Sequence, residues 1–237
     1  MDYNSLLELV QKRRSTRVFK PVQIPVEYVD KIIEVARWAP SGGNSQPWEF
    51  IVVKKKEERE SIVNFFKEQS AIVGKAEQAR EPERRFFSFK KLPQDGPPKD
   101  GTPPFAAAPV LIIVCGDPRT KEAYPFKVML DRGQAHFYSG LASTFLYMHL
   151  AAAALGLASQ WVSASSMDLM QSRLKELLGI PLNLEIYDMM AVGYPAIEPN
   201  PRLVRSMDEI VHYDHYDKTK YRTDEQVTEF ISVINKR

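Results

Sequence analysis

A chain of 237 residues that is 44% hydrophobic and 26% charged has ordinary globular composition, which excludes disordered, collagen-like and low-complexity classes. Its 32 basic and 30 acidic side chains leave a net charge of +2, too near balance for a general electrostatic grip on nucleic acid or an anionic membrane, so any anion site must be local. The single cysteine, Cys115, excludes an internal disulfide framework or a multi-cysteine metal site, and the expected location is the cytoplasm.

Leu6, Leu7, Leu9 and Val10 within residues 5–14 predict a short amphipathic helix, and Val29, Ile32, Ile33 and Ala36 after Pro25 predict a second, ended by Pro40. Phe50 to Val53 reads as a strand and residues 62–79 as a charged helix. Five prolines between Leu92 and Pro104 exclude helix or central strand there, so a lid-like loop insertion over about residues 80–104 is expected. Val110 to Cys115 is apolar throughout, as a buried mid-sheet strand is, and the whole run from Phe105 is only half of what a membrane span needs. No basic leader with an apolar block opens the chain, so no export signal is expected. Residues 131–155 read as a long core helix closed by Gly156. A strand over 160–164, a helix over 167–178 and a strand over 185–192 follow. The tail, about residues 201–237, carries Tyr213, Tyr216 and Tyr221 but too little apolar material for a core of its own, so it is expected to wrap a neighbouring subunit. No repeat or sharp boundary divides the chain, which reads as a single domain.

Two clusters carry chemistry. Arg13, Arg14, Ser15 and Arg17 place three guanidinium forks and a hydroxyl where the first helix ends, a set that suits phosphate oxygens. The same arginines could instead complement only the negative end of the helix dipole. In APSGGNSQPW, Gly42 and Gly43 let the backbone approach a flat ligand, and the amides of Asn44 and Gln46 offer donors and acceptors to a heteroaromatic edge; a polar turn beside a core tryptophan is the plainer alternative.

RRSTR followed by APSGGNSQPWEF resembles the FMN-dependent nitroreductase family, and the resemblance extends to Leu155-Gly156-Leu157, Trp161-Val162-Ser163, Val192-Gly193-Tyr194-Pro195 and residues 205–211. It implies an α+β fold with a central mixed β-sheet flanked by helices, in an intertwined homodimer with C-terminal tail exchange and two flavins at the subunit interface. By motif match, Arg13, Arg14, Ser15 and Arg17 inherit the FMN phosphate, and Pro40, Ser41, Gly42, Asn44, Gln46, Trp161, Val162 and Ser163 inherit the flavin. Arg205 is the expected late phosphate ligand, with Arg202 in reserve, although Ser206 stands where the family usually has proline.

The resemblance also implies ping-pong turnover: NADH or NADPH reduces FMN, leaves, and a nitroaromatic, quinone or other flat electrophile follows. The flavin carries the chemistry, so no protein nucleophile is needed, and the chain has no G-x-S-x-G, H-E-x-x-H, P-loop or G-x-G-x-x-G. Arg84, Arg85, Lys90, Lys91, Phe86, Phe87 and Phe89 on the lid could select the acceptor, or form only a solvated charge run with loosely packed phenylalanines. The alternatives are a reductive dehalogenase or a flavin-fragmenting relative in the same family, and a non-catalytic flavin or nucleotide module. The dehalogenase branch uses a lid tyrosine, and this chain has none between Tyr28 and Tyr124. His136 and His149 read as packed core histidines, His212 and His215 make too thin a set for a metal, and Cys115 reads as an inert core residue. No metal is assigned.

Overall fold

Val110–Gly116 forms β2, and all seven of its residues are buried. A strand paired on both edges and covered on both faces has no water-facing side chains, which is why the sequence shows no alternation there. In the computed structural model, which describes residues 2–80, 101–198 and 202–235, β2 lies between β1 (Trp48–Val53) and β4 (Glu185–Gly193), with β3 (Ala158–Val162) on the far edge, in the order β1-β2-β4-β3. One face carries α2 (Val26–Ala36) and α4 (Phe126–Ala154), packed on Trp48, Ile112, Val114, Met190 and Val192. The other carries α3 (Lys56–Gln78) and α5 (Asp168–Leu178), packed on Leu111, Ile113, Cys115, Met189 and Ala191. Strand residues alternate between these two cores, as the period of two requires.

The α+β architecture agrees with the resemblance, but the sheet is not mixed. All three strand pairings are antiparallel, and among the described residues the parallel pairing is the isolated bridge between Ser15 and Ser159. Apolar periodicity marks a strand without marking its direction, which depends on where the intervening helices return the chain.

Helix ends follow local chemistry. The Asp2 side chain accepts from the Ser5 amide at 2.8 Å and opens α1 (Tyr3–Lys12). α2 stops at Ala36, short of Pro40, and its last carbonyl accepts from buried Thr144 Oγ1 of α4 at 2.8 Å. α4 starts five residues earlier than its core pattern suggests, directly after Pro125, because its first turns leave Phe126 and Leu130 exposed. It ends with the Leu157 amide donating to the Ala152 carbonyl and the Gly156 amide to Ala153, a Schellman closure. Among the described residues no helix is long and apolar enough to cross a membrane.

Gly116 is fixed by close approach to α4. A methyl group there would stand 2.4 Å from Phe137 Cζ and 2.7 Å from Leu141 Cδ1, and both side chains are fully buried with nowhere to withdraw. Gly116→Ala is expected to lower stability by about 1–3 kcal/mol, the usual overpacking range. The measurement is a lower urea midpoint with an unchanged denaturant slope.

The chain forms two compact units, Met1–Glu198 and Pro199–Arg237. In the second, α6 (Met207–Ile210) is opened by a capping box in which the Ser206 amide donates to Glu209 Oε2 at 2.7 Å. A proline at 206 could not make that bond, so the departure from the family pattern has a local use. α7 (Asp224–Asn235) places Phe230 under the Arg222 guanidinium at 5.4 Å. No residue described from 202 to 234 is buried, in line with a tail too polar for its own core, and Tyr213 is 83% exposed.

Candidate functional site

The arginine segment begins where α1 ends. Arg13 caps the helix, its amide donating to the Leu9 carbonyl, and the chain then runs extended along the sheet edge. Ser15 pairs with Ser159 of β3, the Thr16 amide donates to the Ser159 carbonyl at 3.0 Å, and the Lys20 amide donates to Tyr194 at 2.9 Å. Buried Thr16 and Phe19 anchor the segment, which leaves Arg13 and Arg14 half-buried and Ser15 and Arg17 exposed. The sequence predicts a guanidinium cluster, and the structure docks it against one particular strand.

β3 supplies the neighbouring wall. Ser159 and Trp161 face α4, whereas Val162 is buried in the α3/α5 core, so only its main chain is left to serve the site. Ser163 is exposed at the start of a short helical turn, Ser163–Ser166, that buries Ser165. Above Ser159 lies His149, its Nδ1 2.6 Å from Ser159 Oγ and its Nε2 buried without a partner. Burial, aided by the charge of Arg13, pushes the His149 imidazole down to about 4, so it is neutral at ordinary pH. His149 is therefore the packed, hydrogen-bonded histidine that its helix position predicts.

A β-bulge shapes the wall from below. Val114 pairs with Asp188 but Cys115 pairs with Ile186, so β4 carries one extra residue, and the Ile186 amide donates to Gln171 Oε1 at 2.9 Å. The extra residue breaks the alternation. Ile186 faces the α3/α5 core, while Tyr187 packs against the α4 core and the carboxyl of buried Asp188 meets Trp161. Trp161 Nε1 donates to Asp188 Oδ2 at 2.5 Å, and burial raises the Asp188 carboxyl to about 6 against the lowering effect of its Trp161 and Ser166 hydrogen bonds. Cys115, on the opposite face, is buried with its thiol pushed up to about 12, which leaves it unreactive.

The second cluster forms a strained turn on the first half of α4. Gly43, Asn44 and Gln46 have φ of 57°, 51° and 43°, a left-handed geometry that glycine adopts freely and the other two only at a cost. The Gln46 amide donates to Ser41 Oγ at 3.0 Å, and Ser45 Oγ lies 3.2 Å from the Tyr124 hydroxyl. Side chains added at Gly42 or Gly140 would meet His136 or Ser41 at 3.1 Å, so turn and helix are in close contact. Pro40, Asn44 and Gln46 stay exposed, with Ser41 and Gly42 half-buried. His136 and Gly140 precede His149 on α4 by nine to thirteen residues, roughly 14–20 Å at 1.5 Å per residue, so the turn and the His149–Ser159 contact behind the arginine segment lie at separate stations of that helix.

Arg205 lies in the second unit, half-buried, and its guanidinium donates to the Glu209 carbonyl at 2.9 Å; Arg202 is exposed there. The lid residues Arg84, Arg85, Phe86, Phe87, Phe89, Lys90 and Lys91 lie outside the described residues. A cavity of about 530 Å³ against α3, lined by Lys56, Arg59, Asn64 and Lys67 among others, includes none of the sequence-predicted site residues. Tyr124, Ser159 and Asp188 escape sequence reading. Asp188 alone leaves a trace, as an acid interrupting an otherwise apolar strand.

Residues 10–194 match the model of the Nitroreductase family. A provisionally named NADH dehydrogenase/NAD(P)H nitroreductase of Archaeoglobus fulgidus is 31% identical over 192 residues, covering 81% of this chain and 86% of that protein. Human iodotyrosine deiodinase 1 is 29% identical over 206 residues, 86% of this chain, which spans 66% of the deiodinase. A solved nitroreductase with bound FMN from Desulfitobacterium hafniense superposes with a TM-score of 0.65 at 24% identity, over 90% of this chain and 100% of that one, which is agreement in fold.

Proposed function

Because the chain belongs to the nitroreductase family, we propose that it is an FMN-dependent oxidoreductase that takes electrons from NADH or NADPH and delivers them, in ping-pong order, to a nitroaromatic, quinone or similar flat electrophile. One observation carries the reading: the Ser15–Ser159 pairing docks the segment with its two half-buried arginines on β3, the strand that also carries Trp161. Permanent charges held partly out of water bind a phosphate dianion more tightly than exposed ones, and an aromatic wall next to them suits a tricyclic ring. The donor set therefore fits FMN. FMN, when bound, supplies the hydride and electron transfer, and the protein supplies orientation and a restricted cavity. In this reading Arg13, Arg14, Ser15 and Arg17 hold the phosphate, with Arg205 as the late ligand. The turn of Pro40, Ser41, Gly42, Asn44 and Gln46, together with Trp161 and the Val162–Ser163 main chain, faces the ring.

The working form is a homodimer with flavin at the subunit interface and the tail wrapped on the partner, in the cytoplasm. On the described chain Tyr3, Leu6, Leu7 and Val10 form an exposed i, i+3, i+4, i+7 stripe along α1, and the tail leaves its tyrosines in water; both faces gain from a partner. A second reading, reductive dehalogenation, draws support from the similarity to iodotyrosine deiodinase 1.

The test is optical. Purified protein should show an oxidised-flavin spectrum, sediment as a dimer, and bleach anaerobically on addition of NADH or NADPH. Reoxidation by nitroaromatics and quinones supports the first reading, and reoxidation by halophenols but by neither of those supports the second. A colourless protein that takes up no added FMN would overturn both.

A further inference from the structure

Trp161 is held more tightly than a wall residue needs to be. The residue is 38% exposed, and its ring touches Phe145 at 4.4 Å between ring centroids, His149 at 5.7 Å in a stacked arrangement, and Tyr187 at 6.2 Å edge-on. Ring packing alone lets an indole slide and tilt, whereas a directional hydrogen bond fixes its rotation. That bond is the one Trp161 Nε1 donates to Asp188, which is only 7% exposed. A buried carboxyl opposes folding through its desolvation, and an apolar residue at the same place would not. The bulge that turns both Tyr187 and Asp188 toward α4 is likewise a departure from regular pairing. Two departures from the cheapest sheet converge on one side chain, Trp161, which is part-exposed two residues along β3 from the Ser15–Ser159 bridge.

We propose that Asp188 is a positioning residue: its carboxyl, through the Trp161 Nε1 hydrogen bond, locks the indole as a preorganised wall on which the flat ring of a bound flavin rests. The proposal rests on the FMN reading above. It places Asp188 under the ring and not under the phosphate, so its effect is common to FMN and to riboflavin, which lacks the phosphate. Preorganisation lowers the ordering cost of binding, so losing it weakens affinity without removing a contact from the ligand itself.

The experiment titrates apoprotein with FMN and with riboflavin, following flavin-dependent quenching of Trp161 emission, defined as the part lost in Trp161→Phe because Trp38 and Trp48 also emit. Asp188→Val, which suits a buried strand, should weaken both flavins by about tenfold, and it should diminish Trp161 quenching at saturation. Asp188→Asn keeps an acceptor for the indole and should remain within about twofold of wild type for both. Thermal melts confirm that each variant is folded. Asp188→Val with wild-type affinity and quenching would overturn the proposal, as would equal losses in Asn and Val. A wild-type chain that binds neither flavin would defeat the FMN reading itself and this proposal with it, a result visible before any variant is made.

Discussion

Arg13→Ala combined with Arg14→Ala is expected to weaken FMN binding by about 100-fold or more while leaving riboflavin binding nearly unchanged. A hydrogen bond to a charged group is worth about 1.5–3 kcal/mol, and two half-buried guanidiniums lose less to solvent screening than surface ones. Arg17, which is exposed, should contribute far less, so Arg17→Ala is the internal control. Lysine at 13 and 14 keeps the charge but loses the planar fork and should fall between wild type and the alanine pair. The quantity to report is the ratio of FMN to riboflavin dissociation constants, measured by fluorescence titration at two salt concentrations. Removing a phosphate clasp collapses that ratio and flattens its salt dependence. A double alanine variant that still prefers FMN by the wild-type margin would show that the arginines only complement the end of α1.

The two effects on flavin binding are separable because the arginines and Asp188 act on different ends of the ligand, and they also differ in how visible they are in the sequence. Arg13, Arg14 and Arg17 are legible because chemistry of that kind is crowded into five residues. The strained turn is legible for a related reason: glycines and carboxamides in sequence announce left-handed backbone, and Gly43, Asn44 and Gln46 adopt it. β2 is legible because full burial removes alternation, and α4 because its core face is apolar over many turns. The antiparallel direction of the sheet is not legible, since strand direction is a property of how helices return the chain. Nor is the bulge, because one extra residue in β4 changes no residue type while it reverses which face each earlier side chain meets. His149 and Ser159 meet from separate elements, and no local pattern records a contact between a helix and an edge strand. The second cluster shows the same limit: its residues are readable, but their separation from the arginines emerges only once the turn is docked on α4 and the arginine segment on β3.

The buried pair flanking Trp161 has a consequence for stability that needs no ligand. The Asp188 carboxyl stands at about 6 in the folded chain against an ordinary 3.8. Between those values the native state holds a proton that the unfolded chain has released, so this group's contribution falls as pH rises through the window, and its full penalty is present above it. His149 stands at about 4 against an ordinary 6.5. There the unfolded chain holds a proton that the native state refuses, so its contribution falls as pH drops from 6.5 to 4. Each arm amounts to about 3 kcal/mol at 1.36 kcal/mol per pH unit, and the signs are opposite. In the wild type the two nearly cancel, and the pair adds little slope between pH 4 and pH 6.5. Asp188→Asn leaves His149 unopposed, so this variant should lose stability by about 3 kcal/mol on acidification from pH 7 to pH 4 relative to wild type. His149→Phe keeps a ring against Trp161 and Phe145 and leaves Asp188 unopposed, so it should gain about as much over the same range, whatever its stability at pH 7. Surface carboxylates such as Asp117, which Arg119 holds below the usual range, are common to all three proteins and drop out of the comparison. Urea unfolding at half-unit pH steps, followed by circular dichroism, reads the three curves directly. Oppositely sloped variants around a flatter wild type are the expected result; three parallel curves would mean that neither group is protonated in the folded chain as its burial demands.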